Sequence, residues 1–125
     1  MNLLHKELSY QIIGVLFKVH TKLGGGYQEK YYQRAIALEL KRQDISFQEQ
    51  VPVDLSYEEE RIGKYYLDFV IENKIVLEIK AAPHFHNKDI KQVLSYLKKA
   101  GLELGILANF TKEKLEFRRI LKGKN

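Results

Sequence analysis

The sequence predicts an α/β domain in which a mixed central sheet of about five strands is flanked by α-helices. Three observations carry that prediction. Two stretches with helical apolar spacing open the chain and are separated by three consecutive glycines. Three segments with strand-like alternation follow, joined by short polar turns. A third helical stretch then precedes two more apolar segments, so the strands are bracketed by helices.

In chain order, residues 4–22 place Leu8, Ile12, Val15, Val19 and Leu23 on one stripe at helical spacing. The run Gly24-Gly25-Gly26 ends that helix, because glycine accepts positive φ and stops helices. A second helix is predicted from Tyr27 to about Lys41, a stretch rich in alanine, leucine, glutamate and arginine. From Phe47 the pattern changes, and Phe47, Val51, Val53 and Leu55 fall on one parity, as in a strand. Pro52 cannot donate to a ladder, so this strand belongs at an edge or carries a bulge. Glu58-Glu59-Glu60 supplies a hairpin turn, Arg61 to Ile71 a second strand, Asn73 another tight turn, and Ile75 to Lys80 a third strand. These three form an antiparallel meander. Pro83 breaks the third strand, and a helix over 88–100 buries Ile90, Val93, Leu94 and Leu97 before Gly101 closes it. Leu104 to Asn109 and Leu115 to Leu121 read as the last strands, and the tail KGKN as frayed.

The 125 residues form a single domain, 1–125, with 45% hydrophobic residues, enough for a real core. Cysteine is absent, which excludes disulfides, cysteine-bound zinc and a thiol nucleophile. Early charge in MNLLHKELSYQ speaks against a signal peptide, and no apolar run approaches membrane-spanning length. A cytoplasmic protein with no membrane partner is expected. The net charge of +5 suits contact with phosphates but equally a lysine-rich solvated surface.

The chemistry-bearing feature is a set of charges inside the apolar strands. Asp68 interrupts YYLDFVI, while Glu78 and Lys80 interrupt KIVLEIK. Ionised groups are costly to bury unless they pair with each other or with a metal. Alternation puts Glu78 and Lys80 on the face of Val76, and Ile75, Leu77 and Ile79 on the other. Asp68 shares its face with Tyr66 and Val70. Asp68 and Glu78 lie equally far from the turn at Asn73, so a tight hairpin sets them opposite, with their carboxylates able to converge on one cation. Two carboxylates and the backbone carbonyl of Ile79 suit Mg²⁺, which takes hard oxygen ligands and keeps several waters. Lys80 beside them could orient the attacking water. The plainer reading is a salt-bridged group on a solvent-exposed sheet face.

Other residues add to the constellation. Glu29 stands in the first turn of helix two, within G-x-x-E-x-x-Y, where the helix dipole favours a carboxylate. It aligns with Tyr32, Ile36 and Leu40, so it looks toward the packed face, from where it could hold a water at the metal site. Gln92 and Tyr96 share a face of the third helix, where Gln92 could reach a phosphate, or they simply mark an amphipathic boundary. His84 and His86 invite a zinc reading by their spacing, although loop histidines beside a proline are ordinarily surface residues. Lys88, Lys91, Lys98, Lys99, Arg118 and Arg119 offer either a phosphate-binding surface or plain solvation.

Taken together, LGGGYQEKYYQRAIALEL, QVPVDLSYEEERIGKYYLDFVIENKIVLEIKA, QVLSYLKKAGLELGILANF and the final basic strand resemble the GxxExxY protein family, which is grouped with the PD-(D/E)xK nuclease-like superfamily. The resemblance covers nearly the whole chain in order. It implies a restriction-endonuclease-like core and a metal-dependent nuclease. By motif it implies an active site of Glu29, Asp68, Glu78 and Lys80, with Gln92 matching a glutamine on the following helix. The implied cofactor is Mg²⁺ or Mn²⁺ at Asp68, Glu78 and the Ile79 carbonyl, with Glu29 acting through a water. The implied partner is nucleic acid, DNA ahead of RNA, and many nucleases of this type work as homodimers. Leu67 stands where the superfamily's name has a proline. A non-catalytic nucleic-acid-binding or adaptor domain that keeps the fold is the alternative.

Overall fold

A computed structural model describes residues 4–123. Helix α1 (Lys6–Leu23) and helix α2 (Glu29–Arg42) precede strands β1 (Phe47–Tyr57), β2 (Glu60–Ile71) and β3 (Ile75–Lys80). Helix α3 (Asn87–Ala100) then leads to β4 (Leu104–Phe110) and β5 (Leu115–Leu121). The last two residues of the KGKN tail lie outside the described residues.

The five strands form one mixed sheet in the order β1-β2-β3-β4-β5. All neighbours are antiparallel except β3 and β4, which are parallel because α3 carries the chain back between them. Pro52 does sit on an edge strand. The first hairpin turns on two residues, Glu58 and Glu59, both at positive φ, and Glu60 already belongs to β2. The second turn has three residues, Glu72, Asn73 and Lys74: Glu72 and Asn73 are again at positive φ, the Lys74 N–H donates to Ile71 O (2.9 Å), and Ile71 pairs with Ile75. Successive left-handed residues give the twist a tight hairpin needs.

Helices α1 and α2 cover one face, with Ile12, Leu16, Tyr32 and Ile36 packed on Phe69, Ile75, Leu77, Ile79 and Ile106. Helix α3 covers the other through Val93 and Leu97 against Leu67, Val70, Val76 and Leu107. Parity along β1 does not hold one face throughout. Phe47 packs with the α1–α2 core, whereas Val51 and Val53 pack with the α3 core. Between them Gln50 adopts φ 51°, and its pairing with Asp68 is missing from the register, which shifts once more between Leu55 and Ser56. That kink turns the outer part of the β1–β2 hairpin over toward α3. It falls at the level of Asp68.

The glycine run has a specific task. Gly24 and Gly26 take φ of 84° and 92°, and Gly25 lies so close to the β4–β5 turn that a Cβ there would collide with the Lys112 backbone. Tyr32 ties the same loop to α2: its hydroxyl donates to Gly24 O (2.8 Å) and accepts from Tyr27 N–H (3.2 Å). Its ring stacks on Phe110 with centroids 4.4 Å apart. The tyrosine of G-x-x-E-x-x-Y is therefore the bolt that sets where α2, and Glu29 with it, begins.

Candidate active site

The second hairpin runs in the register Phe69↔Leu77, Val70↔Val76, Ile71↔Ile75, so Asp68 stands opposite Glu78, as their equal distance from Asn73 requires. Ladder pairing stops just before them. In its place the two side chains bridge the seam. Glu78 Oε1 accepts the Asp68 backbone N–H at 2.6 Å, and Asp68 Oδ2 accepts the Ile79 N–H at 2.7 Å. The carboxylates thus replace the strand-to-strand hydrogen bonds that the diverging backbones no longer make. Asp68 Oδ1 accepts a third bond, from the Gln33 side-chain amide on α2 (2.9 Å).

These acids do not lie on a solvent-exposed sheet face, which removes the plainer reading of the charge pattern. Glu78 is buried at 6% exposure, and Asp68 is half-buried. The reason is that α2 and α3 pack on both faces, so even the polar parity of β3 is covered. Burial raises the Asp68 pKa to about 6, against the stabilising Ile79 N–H, and the charge of Glu29 adds to the rise. Burial first, then the charge of Asp68, pushes Glu78 up to about 8. Each carboxyl therefore holds its proton to a higher pH than an ordinary side-chain acid.

Lys80 does not neutralise the pair by contact. Its Nζ lies 3.6 Å from Asp89 Oδ1, and Asp89 is a buried acid in the first turn of α3. Burial works against the Lys80 ammonium. The surrounding acids outweigh it, with Asp89 first and then Glu29, Glu78 and Asp68, and hold its pKa above the usual lysine value.

Glu29 is the first residue of α2, half-buried, and its charge is felt by Asp68, Glu78 and Lys80 alike. Gln92 is half-buried on α3, one turn beyond Asp89, and among the described residues no hydrogen bond joins it to the acid pair. Tyr96 is half-buried in the α3 core. His84 and His86 are exposed, and among the described residues no group of three or more His, Asp or Glu gathers as a ready metal cage. The basic residues do not form one surface. Arg118 lies over the Phe85 ring, while Arg119 donates to Leu4 O on the α1 side (2.9 Å).

Three polar residues of the site escape a reading of the sequence. Gln33 had a usable signal, since it lies one turn after Glu29 and so on the same helix face. Asn109, fully buried at the end of β4, clamps Ala82 by accepting its N–H (2.9 Å) and donating to its O (2.8 Å). Its signal was a lone amide in an apolar strand. Asp89 had none, because an acid in a first helical turn already has an explanation in the helix dipole.

Helices packed on both sides of this mixed sheet, with an acid pair and a lysine at the divergence of β2 and β3, define a nuclease-like α/β class. A sequence model of the PD-(D/E)XK nuclease superfamily matches residues 6–120, and the chain belongs to that superfamily. Among solved structures, the crystal structure of SSO0001 superposes with a TM-score of 0.60 at 21% identity, over 78% of this chain and 52% of that one. The chain thus spans about half the length of that protein, and the likeness establishes the restriction-endonuclease-like fold. Leu67, in place of the proline of the superfamily name, is fully buried against the α3 core. Comparison with curated proteins gives no match.

Proposed function

We propose that this chain is a metal-dependent nuclease of the GxxExxY type that hydrolyses phosphodiester bonds in nucleic acid, with DNA the first substrate to test and the cytoplasm its place of action. The observation that carries this reading is the buried Asp68–Glu78 pair. Two carboxyls face each other across a seam with no cationic side chain in contact among the described residues, and both hold protons to higher pH than usual. Such a pair fits a divalent cation, because only an added positive charge lets both groups ionise in that site. Asp68, Glu78 and the Ile79 carbonyl would hold Mg²⁺ or Mn²⁺, with Glu29 reaching it through a water. When bound, the ion supplies charge neutralisation at the phosphate and activation of water.

The residues of the chain divide the remaining work. Gln33 and the Ile79 N–H fix both oxygens of Asp68, so its orientation is set before any ligand arrives. Asp89 holds the Lys80 ammonium charged, ready to orient the attacking water or to meet charge developing on the phosphate. Glu29, at the start of α2, would accept a proton from that water. Gln92, on the helix face shared with Asp89, would contact the substrate phosphate. Two copies acting as a homodimer would let a duplex be cut on both strands.

The test joins cleavage to ligand-induced stability. Purified protein is incubated with single- and double-stranded DNA and RNA in Mg²⁺ or Mn²⁺, beside Asp68→Asn and Glu78→Gln. Wild type should cut at least one substrate, and both variants should fall to background. Metal at a hundredfold excess over its dissociation constant should stabilise wild type by about 2.7 kcal/mol, and Glu78→Gln should abolish the shift. Equal cutting by wild type and Asp68→Asn would end the proposal. Binding that survives chelator, without cleavage of any substrate, would mark a non-catalytic nucleic-acid-binding domain instead.

A further inference from the structure

One residue beyond Lys80 and two before Glu29, the chain opens a cleft of about 540 Å³, within the range of small-ligand sites. Three loops wall it: the glycine loop ending in Tyr27, the segment Ala81–His84 after β3, and the β4–β5 turn at Thr111–Lys114. The walls are locked to one another. Gly25 abuts the Lys112 backbone, the His20 imidazole Nε2 lies 3.0 Å from Thr111 O, and Asn109 clamps Ala82. A rigid cleft needs little reorganisation on binding.

Its lining shows what it is suited to hold. Lys112, Lys114 and His84 are offset by Glu113 and Glu116, and Lys114 already pairs with Glu116 at 3.5 Å. The cleft therefore offers little net charge to a phosphate. It offers apolar wall from Ala81, Ala82, Pro83 and Phe110, with the Tyr27 ring also in its lining. Tyr27 is 48% exposed although its neighbour Tyr32 is fully buried, and an edge-to-face contact joins the two rings. Tyr31, 42% exposed, meets Tyr27 edge-on, and Lys30 and Arg34 lie over the Tyr31 ring at 5.3 and 5.7 Å. An aromatic ladder thus runs from the core to the surface beside Glu29, with cations along its outer edge. Flat apolar surface flanked by positive charge is the arrangement that holds successive unpaired nucleotides, by stacking on the bases and attraction of the backbone.

We infer that this cleft is a nucleotide subsite in which Tyr27 stacks on an unpaired base next to the scissile phosphate, so that the substrate class is single-stranded nucleic acid or a frayed end. The inference rests on the nuclease reading for its placement of the phosphate, but the subsite itself is defined by Tyr27 and the cleft. A paired base inside a duplex has both faces covered and cannot reach the ring without leaving the stack.

The test is fluorescence anisotropy in chelator, where no metal-dependent cutting occurs, with one labelled oligonucleotide either single-stranded or annealed to its complement. The single strand should bind more tightly. Tyr27→Ala should weaken that binding by about 5- to 150-fold, the range for loss of one base–aromatic stack, while Tyr27→Phe should stay within about twofold. Tyr27→Leu keeps apolar bulk without a π-face and should bind like the alanine variant, which guards against a folding defect in either one. Unchanged binding by Tyr27→Ala and Tyr27→Leu, or a preference for duplex, overturns the inference. Tyr27-dependent binding with no cleavage in Mg²⁺ or Mn²⁺ sinks the nuclease reading and leaves the subsite standing. Cleavage with Tyr27-independent binding does the reverse.

Discussion

On one side of β3, Ile75, Leu77 and Ile79 are fully buried among the apolar side chains of α1 and α2. On the other, a fully buried Val76 is followed by Glu78 and Lys80 at the same covered face. One six-residue strand carries both arrangements. Each aliphatic side chain on the first side stabilises the fold by roughly 1.5–3 kcal/mol through burial. The Glu78 charge on the second works against it, because burial and nearby Asp68 disfavour it, whereas Asp89 holds Lys80 charged. The contrast teaches where stability and chemistry are kept: the α1–α2 core holds the sheet together firmly enough for the seam at Asp68 and Glu78 to carry two closely spaced carboxyls.

The strongest way to break the contrast is to swap sides within the strand. Leu77→Ala should cost about 2–5 kcal/mol, read from urea unfolding, because a packed site collapses only in part. Glu78→Gln in the next position should cost little or raise stability at pH 7 in metal-free buffer, since it replaces a group that must take up a proton on folding with one that is neutral throughout. Comparable losses for both would show that Glu78 belongs to the structural core after all.

Acidity sharpens the same comparison. Asp68 and Glu78 bind protons more tightly in the folded chain than in the unfolded one. The metal-free native state therefore carries more protons than the unfolded state between the ordinary Glu value of 4.5 and about 8. Stability contributed by these groups is present at the acid end of that window and lost as pH rises through it, on the order of a few kcal/mol in all. Denaturant midpoints measured from pH 5 to pH 8 in chelator should fall. Glu78→Gln should flatten the upper half of the curve, and saturating Mg²⁺ should offset the fall. A flat wild-type profile would mean that the carboxyls are solvated.

Two smaller effects probe the supports. Asp89→Asn removes the partner of a partly buried lysine and should cost about 1–3 kcal/mol. It should also lower the Lys80 pKa, moving the alkaline limit of any cleavage activity downward. An unchanged pH limit would assign Asp89 to the fold alone. Gln33→Ala should cost about 1 kcal/mol and weaken metal binding by about 10-fold or more, since it frees one oxygen of Asp68. Unaltered metal affinity by calorimetry would show that Asp68 needs no such anchor.

The order of elements, the two tight turns and the apolar stripes of all three helices were determined by local sequence. They depend on periodicity, glycine and proline, whose physics acts within a few residues. The opposition of Asp68 and Glu78 was legible for the same reason, because a short hairpin fixes register by counting from its turn. Tertiary structure alone decided that this pair is buried, since only packing places α2 and α3 over both faces of β3. It also decided that Asp89, nine residues beyond Lys80 in sequence, becomes the lysine's partner, and that three separate loops enclose a cleft around Tyr27. Such contacts join segments distant along the chain, and no local pattern encodes which charge will meet which once the core has formed.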